Sequence, residues 1–441
     1  MHILNILNFI NERLLFPVLS ILLFLAGLWF FFRLKGRPIL YPKAVCRSLL
    51  KKKSGTDSPF KSAMIALAGT LGVGNIAGVA AAITSGGPGA IFWMWISSLA
   101  AMLIKYAEIV LAVRFRKTEN GKRVGGAAYY IEKGIGSKKL AVLFSFLCIF
   151  SSFTVGNIVQ SYAASDAMSY SLGMPLVLTG IAVAVICALV TLGGFKRISD
   201  FSAVVIPVLS AGYIILSLII IIKNAAMLPE IMKRIIDGAF DFRAAAGGAC
   251  GFGISRLLSN KQLRLGISRG LLSNEAGCGT APTAHAKAAS DSPAEQGFWG
   301  IFEVFADTVL LCSLTAFVVL ISIDKLDPTI GGTALAAKAF ELELGRPAGV
   351  FIGISTLIYA IASIICWSYY GTESLSYLKK NKHEKIFIAV FCLASVLGSV
   401  LKPGIVWELS DLSISMMCIL NTYCVLRLSG IVISETKEYF K

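Results

Sequence analysis

Apolar runs of about 17–25 residues, the length that carries a helix through the hydrocarbon core of a bilayer, recur along the chain about eleven times. They fall near 14–33, 62–85, 89–113, 140–164, 175–194, 200–222, 266–286, 297–322, 348–375, 386–401 and 405–428, with polar residues gathered in the gaps. Two of the runs are interrupted. In the stretch from Gly69 to Pro88, glycines and Asn75 stand in the middle of an apolar segment. Each interior glycine costs about 1 kcal/mol of helix propensity relative to alanine. Unwound backbone at membrane depth persists only where protein buries it or a polar cavity meets it. The second interruption, Ser273 to His285, combines Gly277, Gly279 and Pro282 with hydrogen-bonding side chains. Each interruption opens a set of five runs, and paired interruptions in two halves point to a central binding site.

The pattern predicts an all-α polytopic membrane protein with two broken helices. The expected division is 1–61, an extra transmembrane helix and basic cytoplasmic loop; 62–222, a first five-helix repeat; 223–265, an interfacial or re-entrant connection; 266–432, a second five-helix repeat; and 433–441, a cytoplasmic tail. Composition agrees, for 441 residues with 56% hydrophobic and 15% charged side chains and a mean hydropathy of +0.76 are too apolar for a soluble domain of this length. The formal charge of +16 does not mark a nucleic-acid binder, because Lys and Arg sit between the apolar runs and form no aromatic-interleaved basic face. They concentrate in the 33–61 and 114–139 gaps, at Lys196–Arg197 and at Lys379–Lys385, which predicts those segments to be cytoplasmic, the N-terminus outside and the C-terminus inside. Met1 to Arg13 lacks the basic start and small-residue cleavage site of a signal peptide, so the first run is expected to be retained. The ten cysteines contain no C-x-x-C pair, and most lie within apolar runs, as packed free thiols do.

Where a helix breaks, one half begins with free N–H groups that suit a carboxylate, and the other ends in free carbonyls that suit an ammonium or metal cation. A zwitterionic amino acid travelling with Na+ matches both. Gly72 and Gly74 let the backbone approach a ligand, Asn75 can bond either end of it, and Asn274 and Thr280 supply the opposing wall. A close helix crossing through Gly74-x-x-x-Gly78 is the alternative reading of the first motif.

Gly72-Val-Gly-Asn-Ile-Ala-Gly-Val-Ala80, Gly86-Gly-Pro-Gly-Ala-Ile-Phe-Trp-Met-Trp95, Lys105-Tyr-Ala-Glu108, Tyr129-Tyr-Ile-Glu-Lys-Gly134, Gly193-Gly-Phe-Lys-Arg-Ile198, Ser273-Asn-Glu-Ala-Gly277, Ala281-Pro-Thr-Ala-His-Ala286 and Trp367-Ser-Tyr-Tyr-Gly371 resemble the ordered motifs of the alanine or glycine:cation symporters, over residues 60–430. The resemblance implies a LeuT-like fold of two inverted five-helix repeats and Na+-coupled symport of a small neutral amino acid, alanine or glycine, into the cell across the plasma (inner) membrane. Carried over by position, it implies ligand contacts at Gly72 to Asn75, Gln160, Asn274 and Trp367, with Gly72 and Ser363 as candidates for Na+. The chain departs from the family's pattern in four places: Leu272 replaces an aromatic residue before Ser-Asn-Glu; Gln160-Ser-Tyr162 replaces Gln-Ser-Asn; Ala362-Ser363 replaces a pair of threonines; and Gly125-Gly-Ala-Ala replaces Gly-Gly-Pro or Gly-Gly-Ala. The first three touch the expected pocket and bear on which substrate is taken, with a larger neutral solute such as glutamine, or proton coupling, as the alternatives within transport.

The other intramembrane polar residues are expected to serve structure or gating. Lys105 and Glu108, at i,i+3, read as a snorkelling ion pair or a gate contact. Glu275 and Asp307 are functional candidates by their cost in a membrane, through orienting the broken helix rather than, for Glu275, direct cation ligation; His285 reads as interfacial beside Lys287 rather than as a proton relay, and Asn157 and Gln160 as interhelical glue. An intramembrane enzyme is disfavoured, since no His-Glu-x-x-His or Gly-x-Ser-x-Gly motif is present. A channel or sensor without coupled transport is the remaining class.

Overall fold

The structure is a computed structural model that describes residues 2–50, 57–119, 121–240, 260–327, 330–379 and 383–441. Among the described residues, seven helices are long and apolar enough to cross a membrane, and one bent helix pair makes an eighth span. Helix α1 (Leu4–Arg33) is followed by the bent pair α2 (Pro59–Thr70) and α3 (Ala77–Gly86), which close at 57° about Val73–Asn75. Then come α4 (Gly89–Phe115), α5 (Lys138–Leu172), α6 (Leu176–Thr191), α7 (Gly194–Lys223) and α8 (Leu228–Ala239). The second half runs through α9 (Lys261–Asn274), α10 (Ala281–His285), α11 (Pro293–Lys325), α12 (Gly332–Leu344) and α13 (Arg346–Lys379). It ends with α14 (Glu384–Val400), α15 (Pro403–Arg427) and α16 (Ser429–Tyr439).

The helix starts obey local chemistry. Ser58 caps α2 ahead of Pro59, Ser137 caps α5, and Ser292 caps α11 ahead of Pro293. Asn260 Oδ1 accepts from Gln262 N at 2.8 Å and Leu263 N at 3.3 Å, so α9 begins about one turn before the apolar run at 266. The other expected runs that fall short of spanning length and hydropathy correspond to α6, the α9–α10 pair and α14. The 114–139 gap holds the one sheet among the described residues, an antiparallel hairpin pairing Lys117–Glu119 with Lys122–Val124.

Packing places α4 at the centre of one side, against α1, α9 and α11, while α5 packs on α13, α6 on α14 and α7 on α2. Helix α8 is amphipathic, with Ile231, Ile235 and Ala239 buried and Lys233 and Arg234 exposed, which accounts for part of the 223–265 connection. The remainder of that connection, including Gly247 to Gly253, lies outside the described residues.

Candidate functional site

At the first break the chain leaves helix because Gly72 adopts φ −127° and ψ −143°, between Leu71 at ψ 76° and the short turn at Val73–Asn75. The space beside Gly72 is already taken. A Cβ built there would lie 2.7 Å from Gln160 Oε1 and 2.9 Å from Ser363 Oγ, so both oxygens converge on this backbone from α5 and α13. Gln160 Oε1 accepts from Val73 N at 3.1 Å, and Ser363 Oγ donates to Gly69 O, near the end of α2, at 2.6 Å. Gly74 meets the second break directly, for a Cβ there would stand 3.0 Å from Ser273 Cα.

Asn75 Nδ2 donates to Asp307 O at 3.1 Å and Oδ1 at 2.8 Å, while its own Oδ1 is buried with no partner among the described residues. An orphaned acceptor in such a place favours a donor from a ligand. A narrow cavity opens against this turn, lined among others by Gly72, Asn75, Tyr213 and Tyr359. Gln160 Oε1, Ser363 Oγ and Gly69 O are neutral oxygens of the kind a hard alkali cation takes; the first two converge on Gly72, and the third accepts from Ser363.

Asp307 joins the two breaks. Its second oxygen accepts from Ser273 Oγ and Thr308 Oγ1, each at 2.7 Å, opposite the oxygen held by Asn75. At the second break Glu275 takes the left-handed conformation, φ 52°, followed by Gly277 and Gly279 at φ 83° and 77°. The Glu275 carboxylate is held by Thr280 Oγ1 at 2.7 Å and by Trp367 Nε1 at 2.9 Å. Asn274 is spent inside the break: Nδ2 donates to Thr308 Oγ1 at 3.1 Å and Oδ1 accepts from Ala276 N at 3.0 Å.

The residues expected at the site therefore divide. Gly72, Gly74, Asn75, Gln160 and Ser363 meet at the first break, and Trp367, buried on α13 one turn from Ser363, reaches across to Glu275. Asn274 and Thr280 face partners within the protein, so their polar groups are not free walls for a ligand. Leu272 lies in α9, and its side chain falls outside the described residues. Asn157 is interhelical glue, donating to Phe391 O at 2.5 Å and accepting from Ser395. His285 is fully buried within the protein, 2.6 Å from Glu303 Oε1 and 2.7 Å from Gln296 Nε2. Lys105 and Glu108 do not snorkel, since both are fully buried. Glu303 and Tyr370 were not anticipated, although a carboxylate four residues before Asp307 in the same apolar run was a readable signal.

Discontinuous helices whose breaks face one another around polar backbone define a secondary transporter of the broken-helix class. The sodium:alanine symporter family matches residues 1–441, and the chain belongs to that family. It is 34% identical to the sodium/alanine symporter AgcS of Methanococcus maripaludis, over 100% of this chain and 98% of that one. It is also 34% identical to the probable sodium/glutamine symporter GlnT of Bacillus subtilis, over 99% and 90%. A Na+-coupled sialic acid symporter in a substrate-bound outward-open state has a similar fold, with TM-score 0.57 and 16% identity over 89% of this chain and 82% of that one. A manganese transporter of Eremococcus coleocola gives TM-score 0.51 and 14% identity over 86% and 77%. The fold is LeuT-like, and the protein is a multi-pass membrane transporter.

Proposed function

We propose that the protein couples inward movement of Na+ to uptake of a small neutral amino acid, alanine or glycine, by alternating access. The observation that carries this reading is the first break, where Gln160 Oε1 and Ser363 Oγ close on Gly72 beside the unpartnered Asn75 Oδ1. In this reading Na+ is held by neutral oxygens at Gly72, Gly69 and Ser363, the substrate ammonium is accepted by Asn75 Oδ1, and its carboxylate is received by backbone N–H groups where α3 begins. In the same reading Trp367, which is fully buried one turn after Ser363, is taken to bound the space for the substrate side chain. Residues 62–222 and 266–432 are the two inverted repeats, with α1 outside them, the N-terminus outside the cell and the C-terminus cytoplasmic.

A glutamine-type substrate is the second reading, favoured by the equal identity to the sodium/alanine and probable sodium/glutamine relatives. Uptake of radiolabelled alanine, glycine and glutamine into proteoliposomes under an imposed Na+ or H+ gradient separates the readings. A tenfold Na+ gradient is worth about 1.4 kcal/mol, and 100 mV adds about 2.3 kcal/mol per charge. One Na+ per substrate then supports accumulation of roughly several hundred-fold. Equal uptake with choline replacing Na+ rules the coupling out.

A further inference from the structure

Between α1, α4 and α9 a groove of about 490 Å³ opens toward the membrane, walled by apolar side chains that include Phe24, Trp93, Ile96, Ile267 and Leu271. Its shape follows from how α1 is held. A Cβ at Gly27 would run into Ala100, so α1 and α4 touch closely there. Toward its start α1 is drawn to α15 instead, where Asn11 Nδ2 donates to Glu408 O at 2.9 Å and to Glu408 Oε2 at 2.6 Å. The two helices therefore splay from Gly27, and α9 floors the wedge between them. Phe24 and Leu25, which line it from α1, are 49% and 56% exposed, and on a transmembrane helix such side chains meet lipid.

The two ends of the wedge set its depth. At one end Leu263 stands in the first turn of α9, and Trp93 Nε1 donates at 3.2 Å to Ala239 O, where amphipathic α8 ends with Lys233 and Arg234 exposed. A tryptophan bonded to a basic amphipathic helix marks the bilayer interface. At the other end stand Asn274 and Ala276, where α9 gives way to the second break. From Leu263 to Asn274 the helix rises about 16 Å, close to half of the ~30 Å hydrocarbon core. The groove thus has the depth of one leaflet. Its interfacial end carries a cation with donors to spare. Arg264 follows Leu263; its Nη1 stands 3.7 Å from Glu12 Oε2, too far for a hydrogen bond, and its Nε is buried with no partner among the described residues. We propose that this groove binds one acyl chain of an anionic phospholipid, with the phosphate on Arg264 and the end of the chain against Ala276. Hydrocarbon gains little by leaving the bilayer for an apolar groove, so selectivity rests on the headgroup, and a guanidinium offers phosphate paired donors. The site is separate from the solute and Na+ contacts at Gly72 and is independent of which amino acid is carried.

The test uses the purified full-length protein in detergent, with dioleoyl phosphatidylglycerol, dioleoyl phosphatidylcholine and inorganic phosphate as probes. Phosphatidylglycerol is expected to raise the unfolding temperature saturably, as binding to the native state requires, and inorganic phosphate to leave it unchanged. Arg264→Gln is expected to need roughly tenfold more phosphatidylglycerol for half of that rise, the loss of a hydrogen bond to a charged group, and to respond to the two lipids alike. Ile96→Trp and Ile267→Trp each fill the groove and are expected to abolish the rise, whereas Leu99→Trp, at an exposed position of α4 outside the groove, keeps it. A phosphatidylglycerol with a diazirine at the end of one acyl chain is expected to label residues 271–276 of the wild type, a reading that needs no variant if the tryptophan proteins do not fold. Labelling that spares these residues overturns the proposal, as it would if another part of the chain covered the groove. So does a filled groove that still responds to phosphatidylglycerol as the wild type does, or a wild type that responds equally to inorganic phosphate. Because no reading uses transport, a failure of the Na+-coupled reading is distinguishable from a failure of this one.

Discussion

Trp367 Nε1 donates to Glu275 Oε1 at 2.9 Å, a bond between the long helix α13 and the left-handed residue that ends α9. The indole is also pressed onto α5, where a Cβ at Gly156 would stand 2.3 Å from Trp367 Cβ. Ser363, one turn earlier on α13, donates to Gly69 O at the first break. One helix face thus touches both breaks.

Removing the indole should enlarge the substrate space. Trp367→Ala is expected to weaken uptake of glycine and alanine and to weaken leucine or methionine less, since each newly buried methylene gains about 0.8 kcal/mol. Trp367→Phe keeps most of the bulk but loses the donor to Glu275, so it should slow transport without admitting the larger substrates. Competition assays with a series of aliphatic amino acids read both effects. A uniform loss for every substrate in Trp367→Ala makes the residue a packing element.

Gly72 and Ser363 should report on Na+ rather than on the choice of substrate. Gly72→Ala places a methyl 2.7 Å from Gln160 Oε1 and 2.9 Å from Ser363 Oγ, both too short for contact without a shift. Ser363→Ala removes one oxygen and leaves Gly69 O without that donor. Both variants are expected to raise the Na+ concentration for half-maximal uptake, roughly tenfold for the loss of one such contact, with the order of substrate preference unchanged. An altered substrate order at unchanged Na+ dependence would remove both from the cation site.

The two asparagines at the breaks should behave differently. Asn274 makes its bonds within the protein, so Asn274→Ala is expected to cost about 1–3 kcal/mol of stability, seen as a lower melting temperature, with little change in substrate affinity. Asn75→Ala removes the unpartnered Oδ1 and is expected to weaken substrate binding by roughly ten- to a hundredfold. Binding isotherms on detergent-purified protein separate the two. A large affinity loss in a stable Asn274→Ala protein would return that residue to the ligand site.

Features written in neighbouring residues were legible before the fold was known. Glycines weaken helix wherever they stand, so the break at Gly72 and the one at Gly277 could be read directly, and the apolar runs located the helices but not their ends, since the first helix begins at Leu4 rather than 14 and the fifth runs to Leu172 rather than 164. The partner of Lys105 could not be read that way. It is the carbonyl of Asn274, 169 residues further along, and i,i+3 spacing on one helix suggested a pair with Glu108 instead. Asn274 shows the same limit: its residue type advertised a ligand contact, but Thr308 and the Ala276 amide had already claimed its side chain. Burial of His285 against Glu303 likewise depends on α11 folding back onto α10, which no local pattern encodes.

The orientation proposed from the distribution of charge can be tested with single cysteines. Lys122, exposed on the hairpin of the 114–139 segment, belongs to one of the two most basic gaps, whereas exposed Gly331 lies in the gap before α12, on the opposite side by the alternation of spans. Basic segments are retained in the cytoplasm. Cys46 is exposed and must first be replaced; the other described cysteines are buried. In a Cys46→Ser background, Lys122→Cys should react with a membrane-impermeant maleimide only after the cells are opened, and Gly331→Cys should react in intact cells. Labelling of Lys122→Cys from outside would invert the orientation, and labelling of both positions from one side would show that the number of spans between them is even where this reading requires it to be odd.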